Sequence, residues 1–290
     1  MKGILLAGGL GTRLHPITKC TSKQLLPLYD KPIIYYSLST LMLAGIKEVA
    51  IISTPCAIES YKNLIGNGEN FGLRIEYIEQ QQPKGIAHGL LLAEKFVATD
   101  DVCLILGDNF FWGQGFTEQL KQARLNNTGC TIFTSRVKNA QQYGILELDE
   151  NGNPVSIEEK PKKPKSNLAV TGLYMYTNDV FSIARQVIPS KRGEMEISDV
   201  NNTYLKNKKC VAVELGRGLA WLDTGTVDDL LTASIFVQSV QNRQNLKIGC
   251  LEEIALNNGW ITREKLMKLI DNYGRNEYAS YLSELLVKQI

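Results

Sequence analysis

Apolar and polar positions fall into alternating blocks along the first third of the chain, and the blocks predict strands and helices in turn. A short apolar run at 4–6 reads as a first strand. Positions 33–44 carry apolar residues at helical spacing and stop at Gly45, and 49–52 is a second apolar strand. A short helix is expected over 58–65, ending at Gly66. Positions 73–78 alternate apolar and polar as a strand does, and 86–96 puts its apolar residues on one helical face. The run 102–106 is continuously apolar, the pattern of a strand buried on both faces. Such βαβ alternation predicts a parallel sheet with helices on both sides. Right-handed crossovers would bring the strand ends to one edge, where open α/β sheets bind ligands.

The pattern changes further on. Positions 130–136, 145–148, 155–158 and 170–176 are strand-like, with a strong turn at 149–154 and a Lys/Pro loop at 160–165. A helix is expected at 180–187 and short strands at 211–215 and 220–222, around Gly216-Arg217-Gly218. From Thr226 on the pattern is helical only, at 227–240, 251–256, 265–269 and 278–286. The expected fold is therefore α/β: a Rossmann-like, mixed but mostly parallel sheet flanked by helices, with a C-terminal helical appendage. The expected division is a core over 1–225 and a helical region over 226–290.

Composition narrows the partners. The chain has 290 residues, 44% hydrophobic and 21% charged, which is ordinary for a soluble globular protein. A net charge of +2 gives no reason to expect nucleic acid or an acidic membrane. The apolar run 4–7 is too short for a signal peptide, and no run approaches the ~18 apolar residues of a membrane span. The six cysteines are scattered without a C-x-x-C, so reduced thiols in a cytoplasmic protein are expected.

The candidate chemistry starts right after the first strand. Ala7-Gly8-Gly9-Leu10-Gly11-Thr12-Arg13 turns on three glycines within four residues. Successive free N–H groups in such a turn form an anion-binding concavity, and Arg13 adds a planar fork of donors suited to phosphate. Neither familiar phosphate motif fits. A P-loop needs Gly-Lys followed by Ser or Thr, and the dinucleotide fingerprint is broken by Leu14 where its third glycine belongs. The second strand also ends without an acid for a ribose diol. The loop is thus either a polyphosphate cradle of another kind or a plain glycine turn with a surface Arg.

Two carboxylates follow apolar strands: Asp108 after 102–106 and Asp223 after 220–222. At one sheet edge beside a phosphate loop they would suit Mg²⁺, which takes one or two carboxylates and completes its octahedron with phosphate and water. Each alone could equally be a turn residue or a helix cap. Lys23 and Lys160 are candidate phosphate cations. Lys160 opens a run of lysines that could simply be a solvated face. Glu159 beside it could accept sugar hydroxyls. Gln24, Gln80, Asn109 and Thr171 carry groups able to read a base or a sugar.

Ordered motifs then run through nearly the whole chain. They are Leu6-Ala7-Gly8-Gly9-x-Gly11-Thr12-Arg13-Leu14, Ser22-Lys23-Gln24-Leu25-Leu26-Pro27, Asp30-Lys31-Pro32, Leu106-Gly107-Asp108-Asn109, Tyr143-Gly144, Glu158-Glu159-Lys160-Pro161, Ala169-Val170-Thr171-Gly172 and Trp221-Leu222-Asp223-Thr224-Gly225-Thr226. Together they resemble the sugar-nucleotide pyrophosphorylases, in particular those that form dTDP-glucose. The resemblance implies transfer of the thymidylyl group of dTTP to glucose 1-phosphate, with pyrophosphate leaving, at the start of dTDP-rhamnose or related dTDP-sugar synthesis for cell-surface polysaccharide. It implies a nucleotide-binding part at about 1–115 and a sugar-binding part at about 116–225. Ala7, Gly8, Gly9, Gly11, Thr12, Arg13, Lys23 and Gln24 would hold the nucleotide, with Gln80, Pro83 and Gly85 at the thymine. Asp108 and Asp223 would bind Mg²⁺. Asn109, Gly144, Glu159, Val170 and Thr171 would contact the sugar, and Lys160 its phosphate. Arg13, Lys23 and Lys160 would carry catalysis by offsetting repulsion between anions. A homotetramer built through the C-terminal helices is also implied.

The sequence departs from the family at a few positions. Gln114 stands where His is usual, His88 where Gln is common, Val227 where His occurs, and Asn257 where Arg is common. In the family a second nucleotide-sugar site, mediating feedback, lies near the positions of Gln114, Arg217, Lys247, Glu253 and Asn257. Loss of an Arg and a His there implies weaker feedback or a different end product. The alternatives to the leading reading are the same chemistry with UTP or another sugar 1-phosphate, and a catalytically silent nucleotide-sugar sensor on the same fold.

Overall fold

The structure is a computed structural model, and it describes residues 1–287. Strand β1 is Lys2–Leu6, and the two-residue strands β2 (Pro27–Leu28) and β3 (Lys31–Pro32) form a small hairpin. Helix α1 (Ile33–Leu43), β4 (Glu48–Ser53), α2 (Pro55–Ile65), β5 (Arg74–Glu79), α3 (Ile86–Leu92), α4 (Glu94–Val97) and β6 (Val102–Leu106) follow. Then come β7 (Asn109–Gly113), α5 (Phe116–Asn126), β8 (Cys130–Arg136), β9 (Gly144–Leu148), β10 (Pro154–Glu159) and β11 (Leu168–Tyr176). Helices α6 (Val180–Ala184) and α7 (Ile197–Lys206), strands β12 (Cys210–Glu214) and β13 (Leu219–Asp223), and helices α8 (Val227–Gln244), α9 (Leu251–Asn257), α10 (Arg263–Tyr273) and α11 (Glu277–Val287) complete the described chain. The end of the expected 226–290 region lies outside the described residues.

Among the described residues nine strands form one sheet, with the main path β10-β9-β11-β6-β1-β4-β5 and β8 joining β11 to β12. The β6-β1-β4-β5 half is parallel, and β11 then runs antiparallel to β6. Residues alternate between the two faces. Leu5, Ile51, Cys103 and Ile105 pack on one side, while Ile4, Ala50, Ile52, Val102 and Leu104 pack on the other. The first face is covered by α1, α2, α5 and the last three helices, whose Leu251, Ala255, Leu266, Tyr281 and Leu282 share its core. The second is covered by α3, α6 and α7. The helical tail is thus continuous with the main core.

Most expected elements are found within a few residues of their predicted bounds. Three differences have physical causes. The expected helix over 86–96 is broken at Ala93, where α3 ends and α4 begins. Strand β7 was not foreseen because it pairs only with the distant β13. Helices α5 and α7 were not foreseen either. The first turn of α5 follows a glycine-rich stretch, and α7 buries the polar Ser198 and Asn201 alongside its apolar face.

Candidate active site

Topology places the site. The chain runs from β1 outward to β4 and β5, then returns to β6 on the other side of β1. That reversal opens a crevice at the carboxyl ends of β1 and β6. The glycine loop leaves β1 there and Asp108 leaves β6, and the two turns are tied by the bond from Gly107 N to Leu6 O at 2.8 Å. Gly11 takes a left-handed backbone with φ of 61° and lets the loop double back into a short 3₁₀ turn that presents Thr12 and Arg13. Ala7 is pinned to β4, its N–H donating to Ile52 and its carbonyl accepting from Ser53 Oγ at 2.8 Å. Gly9, Thr12 and Ser22 line a cavity of about 500 Å³ on the outer side of the loop.

Strand register delivers the remaining groups. Asp223 is paired with Asn109 across β13 and β7, which sets the two aspartates side by side. Lys23, from the turn after the glycine loop, lies between them. Its Nζ is 2.6 Å from Asp108 Oδ2 and 4.0 Å from Asp223 Oδ1. Burial by itself would raise the pKa of Asp108, but Lys23 and the Asn109 amide hold it below the ordinary carboxylate value. Asp223 is pushed up to about 6, first by burial and then by the charge of Asp108. One ammonium thus neutralises one carboxylate well and leaves the other short of positive charge.

A second cavity, of about 270 Å³, opens behind this pair and is lined by Arg13, Asp108, Gly144, Glu159, Lys160 and Thr171 among others. Gly144 faces Glu159 across β9 and β10. Glu159 Oε2 accepts from Ser198 Oγ at 3.0 Å, and its Oε1 lies 3.7 Å from Lys160 Nζ and 3.8 Å from Arg192. Lys160 holds a left-handed backbone, φ 48°, at the cavity wall, with its N–H on Tyr143 O. Because β11 runs antiparallel to β6, Val170 and Thr171 reach the same edge. The hydroxyl of Thr171 and the amide nitrogen of Asn201 are buried there without a hydrogen-bond partner among the described residues.

Some expected residues are placed differently from others. Asn109 is buried and its amide oxygen is fully engaged: Oδ1 accepts from Gly172 N–H at 2.9 Å and Trp221 Nε1 at 2.6 Å, while Nδ2 donates one N–H to Asp108 at 3.0 Å. Gln24 is buried too, accepting from Ser22 Oγ at 2.9 Å. Gln80 follows β5 and sits against the glycine loop at Gly8. Pro83 is on an exposed loop, and Gly85 starts α3 where Lys84 and Ala87 are bound to the backbone of Met195. Tyr143 and Trp221, which stand in motifs but carry no assigned role, also line the inner cavity, as do Ser198 and Asn201, which no motif includes. The Tyr143-Gly144 and Trp221-Leu222-Asp223 motifs are the sequence signals for the first two.

The residues expected around a second site are also dispersed by role. Gln114 follows β7 and Arg217 precedes β13, so the two exposed residues sit at the same end of that strand pair. Glu253 accepts from Tyr281 OH at 2.7 Å, and Asn257 is exposed one turn further along α9. Lys247 is bound to Asp30 at 2.9 Å.

The chain is similar to known proteins over nearly its whole length. A family model described as nucleotidyl transferase matches residues 2–240. A glucose-1-phosphate thymidylyltransferase of Neisseria meningitidis is 54% identical over 288 residues, covering 99% of this chain and 100% of that protein. One from Mycobacterium tuberculosis is 47% identical, covering 99% of each. Among solved structures, a UDP-glucose pyrophosphorylase complexed with UDP-glucose superposes with a TM-score of 0.72 at 27% identity, over 82% of this chain and 98% of that one.

Proposed function

The chain belongs to the nucleotidyl transferase family, and from that premise we propose that it transfers the thymidylyl group of dTTP to α-D-glucose 1-phosphate, giving dTDP-glucose and pyrophosphate. The observation that carries the reading is the placement of Lys23 between Asp108 and Asp223, at the crevice shared by the glycine loop and the inner cavity. The near full-length similarity to glucose-1-phosphate thymidylyltransferases selects base and sugar. In this reading the protein is cytoplasmic; among the described residues no helix is long and apolar enough to cross a membrane.

The sugar phosphate is already an anion near neutral pH, so its attack on the α-phosphorus needs no general base. The barrier is repulsion between anions, and the chain supplies cations and oriented N–H groups against it. The glycine loop and Arg13 hold the triphosphate, Lys23 neutralises it, and Lys160 binds the sugar phosphate. Glu159, Thr171 and Asn201 hold sugar hydroxyls; the unpartnered hydroxyl of Thr171 and amide nitrogen of Asn201, beside Glu159 in the same cavity, support that role.

The donor set fits Mg²⁺. Among the described residues no group of three or more Asp, Glu, His or Cys is arranged to hold a metal ion by itself. Two adjacent carboxylates with one of them short of positive charge suit an ion that takes its other ligands from phosphate and water. When bound, Mg²⁺ would supply charge neutralisation at the reacting phosphate. Self-association, to a homotetramer, would use α8; its Val227, Leu231 and Ile235, 48%, 59% and 52% exposed at four-residue spacing, support that reading.

The test is pyrophosphate release with Mg²⁺, glucose 1-phosphate and each of dTTP, UTP, ATP, GTP and CTP separately. Release mainly with dTTP, and next with UTP, is the expected result. Release with UTP alone, or silence with glucose 1-phosphate but turnover with another sugar phosphate, would overturn the assignment of base or sugar.

A further inference from the structure

The side chain of Gln80 is buried between the glycine loop and helix α3. Its backbone N–H is bound to Ser53 O at 2.7 Å, which fixes the residue at the end of β5. Its amide nitrogen lies 3.1 Å from Nδ1 of His88, on α3. Its amide oxygen faces Gly8, so closely that a Cβ at that position would lie 2.6 Å from it. Among the described residues no group donates a hydrogen bond to that oxygen. The imidazole is partly buried beside Lys84, and both burial and that charge lower its pKa, so the neutral ring is the form present at pH 7. Neutral imidazole with its proton on Nε2 accepts at Nδ1 and so takes the amide NH₂.

An amide side chain has one donor end and one acceptor end, and which end faces a base decides what it selects. Thymine and uracil present an imide N–H between two carbonyls, whereas cytosine presents a bare ring nitrogen at the same place. An acceptor oxygen pairs with the first and repels the second. A reversed amide does the opposite. Binding sites built on such polarity discriminate strongly, because the wrong partner leaves buried polar groups unpaired.

We propose that His88 is a positioning residue that sets the polarity of the Gln80 amide, and through it the preference for an imide pyrimidine nucleotide over a cytosine nucleotide. The inference rests on the reading that Gln80 faces the base. Gly8 acts with His88: one takes the oxygen side without a side chain in the way, and the other takes the nitrogen side.

The test compares kcat/KM for dTTP and dCTP in the wild type and in His88→Leu, His88→Asn and Gln80→Leu. Removing the acceptor in His88→Leu leaves the amide free to turn, and the dTTP:dCTP ratio is expected to fall at least tenfold. His88→Asn can place a carbonyl oxygen where Nδ1 stood, and is expected to recover most of the ratio. A merely structural role for His88 would lower both nucleotides alike and leave the ratio unmoved, which would overturn the proposal. If His88→Leu turns over too slowly, the same ratio is read from calorimetric affinities for dTTP and dCTP, and His88→Asn supplies it if His88→Leu does not fold. Gln80→Leu separates the two levels. A ratio unchanged in Gln80→Leu overturns the base-reading role of Gln80, and the inference with it. A ratio lost in Gln80→Leu but kept in His88→Leu overturns the role of His88 alone.

Discussion

The ammonium of Lys23 and the carboxylate of Asp108 lie 2.6 Å apart although 85 residues separate them in the chain. Both are at the carboxyl edge of the parallel strands, and the same ammonium is 4.0 Å from Asp223. Lys23 therefore occupies the position of positive charge between two acids in the free protein. Replacing it with the uncharged Lys23→Met leaves the two neighbouring carboxylates without the cation between them, with Arg13 the remaining positive charge acting on Asp223. Stability is expected to fall by about 1–3 kcal/mol in metal-free buffer, since Asp108 keeps some solvent. Added Mg²⁺ should recover part of that loss, because a dication replaces the missing charge. Turnover should drop by about 10²-fold or more. Thermal melts with and without Mg²⁺ check this; a melt indifferent to Mg²⁺ would remove the metal from this position.

Asp223 leads to a prediction of opposite sign. Its pKa stands near 6 in the folded protein, above the ordinary value of 3.8, because it is buried beside Asp108. A carboxyl raised on folding favours the folded state when protonated. That contribution is complete below about pH 4 and is lost as pH rises through about 6. Metal-free Asp223→Asn should therefore melt higher than the wild type at pH 7 and nearly level with it at pH 4. Its turnover should nonetheless be lower by about 10²-fold, and saturating Mg²⁺ should stabilise the wild type more. Melting temperatures at the two pH values decide the matter, and a variant less stable at pH 7 without metal would contradict it.

Asn109 behaves as a joint of the fold. Its oxygen takes the N–H groups of Gly172 and Trp221, and its nitrogen orients Asp108. Asn109→Leu leaves the buried Gly172 N–H without an acceptor, at about 1–3 kcal/mol, and the half-buried Trp221 indole N–H as well, at less. A clear loss of stability with reduced turnover is expected. If the residue instead served only to contact the sugar, KM for glucose 1-phosphate would rise with the melting temperature unchanged.

Lys160 combines a cation with an unfavourable backbone. Its φ of 48° suits glycine, so Lys160→Gly relieves strain while deleting the charge. The glycine variant should melt at or above the wild type, within about 1 kcal/mol, and Lys160→Ala should melt below the glycine variant. Both should raise KM for glucose 1-phosphate at least tenfold. A KM unaltered in both would return Lys160 to the solvated lysine run in which it sits.

Local pattern carried a large part of this protein. Period-two and period-3.6 apolar spacing located the parallel strands, α1, α2 and the C-terminal helices, because each element must bury one face whatever its partners. The glycine loop, Asp108 and Asp223 were visible as strand-end chemistry for the same reason. What depended on distant pairing was not legible. Strand β7 exists because β13 lies beside it, and that register is what sets Asp223 beside Asn109 and next to Asp108. The amide of Asn109 reads as a ligand in sequence, and only packing against Gly172 and Trp221 shows that its oxygen also ties β7 to β11 and β13. Ser198 and Asn201 reach the inner cavity from α7, an element whose buried polar residues hide its helical face. The sequence by itself determined which segments are strands and helices and which residues carry charge at their ends. The tertiary structure alone decided which of those charges meet, because strand order and register bring together residues that no spacing along the chain relates.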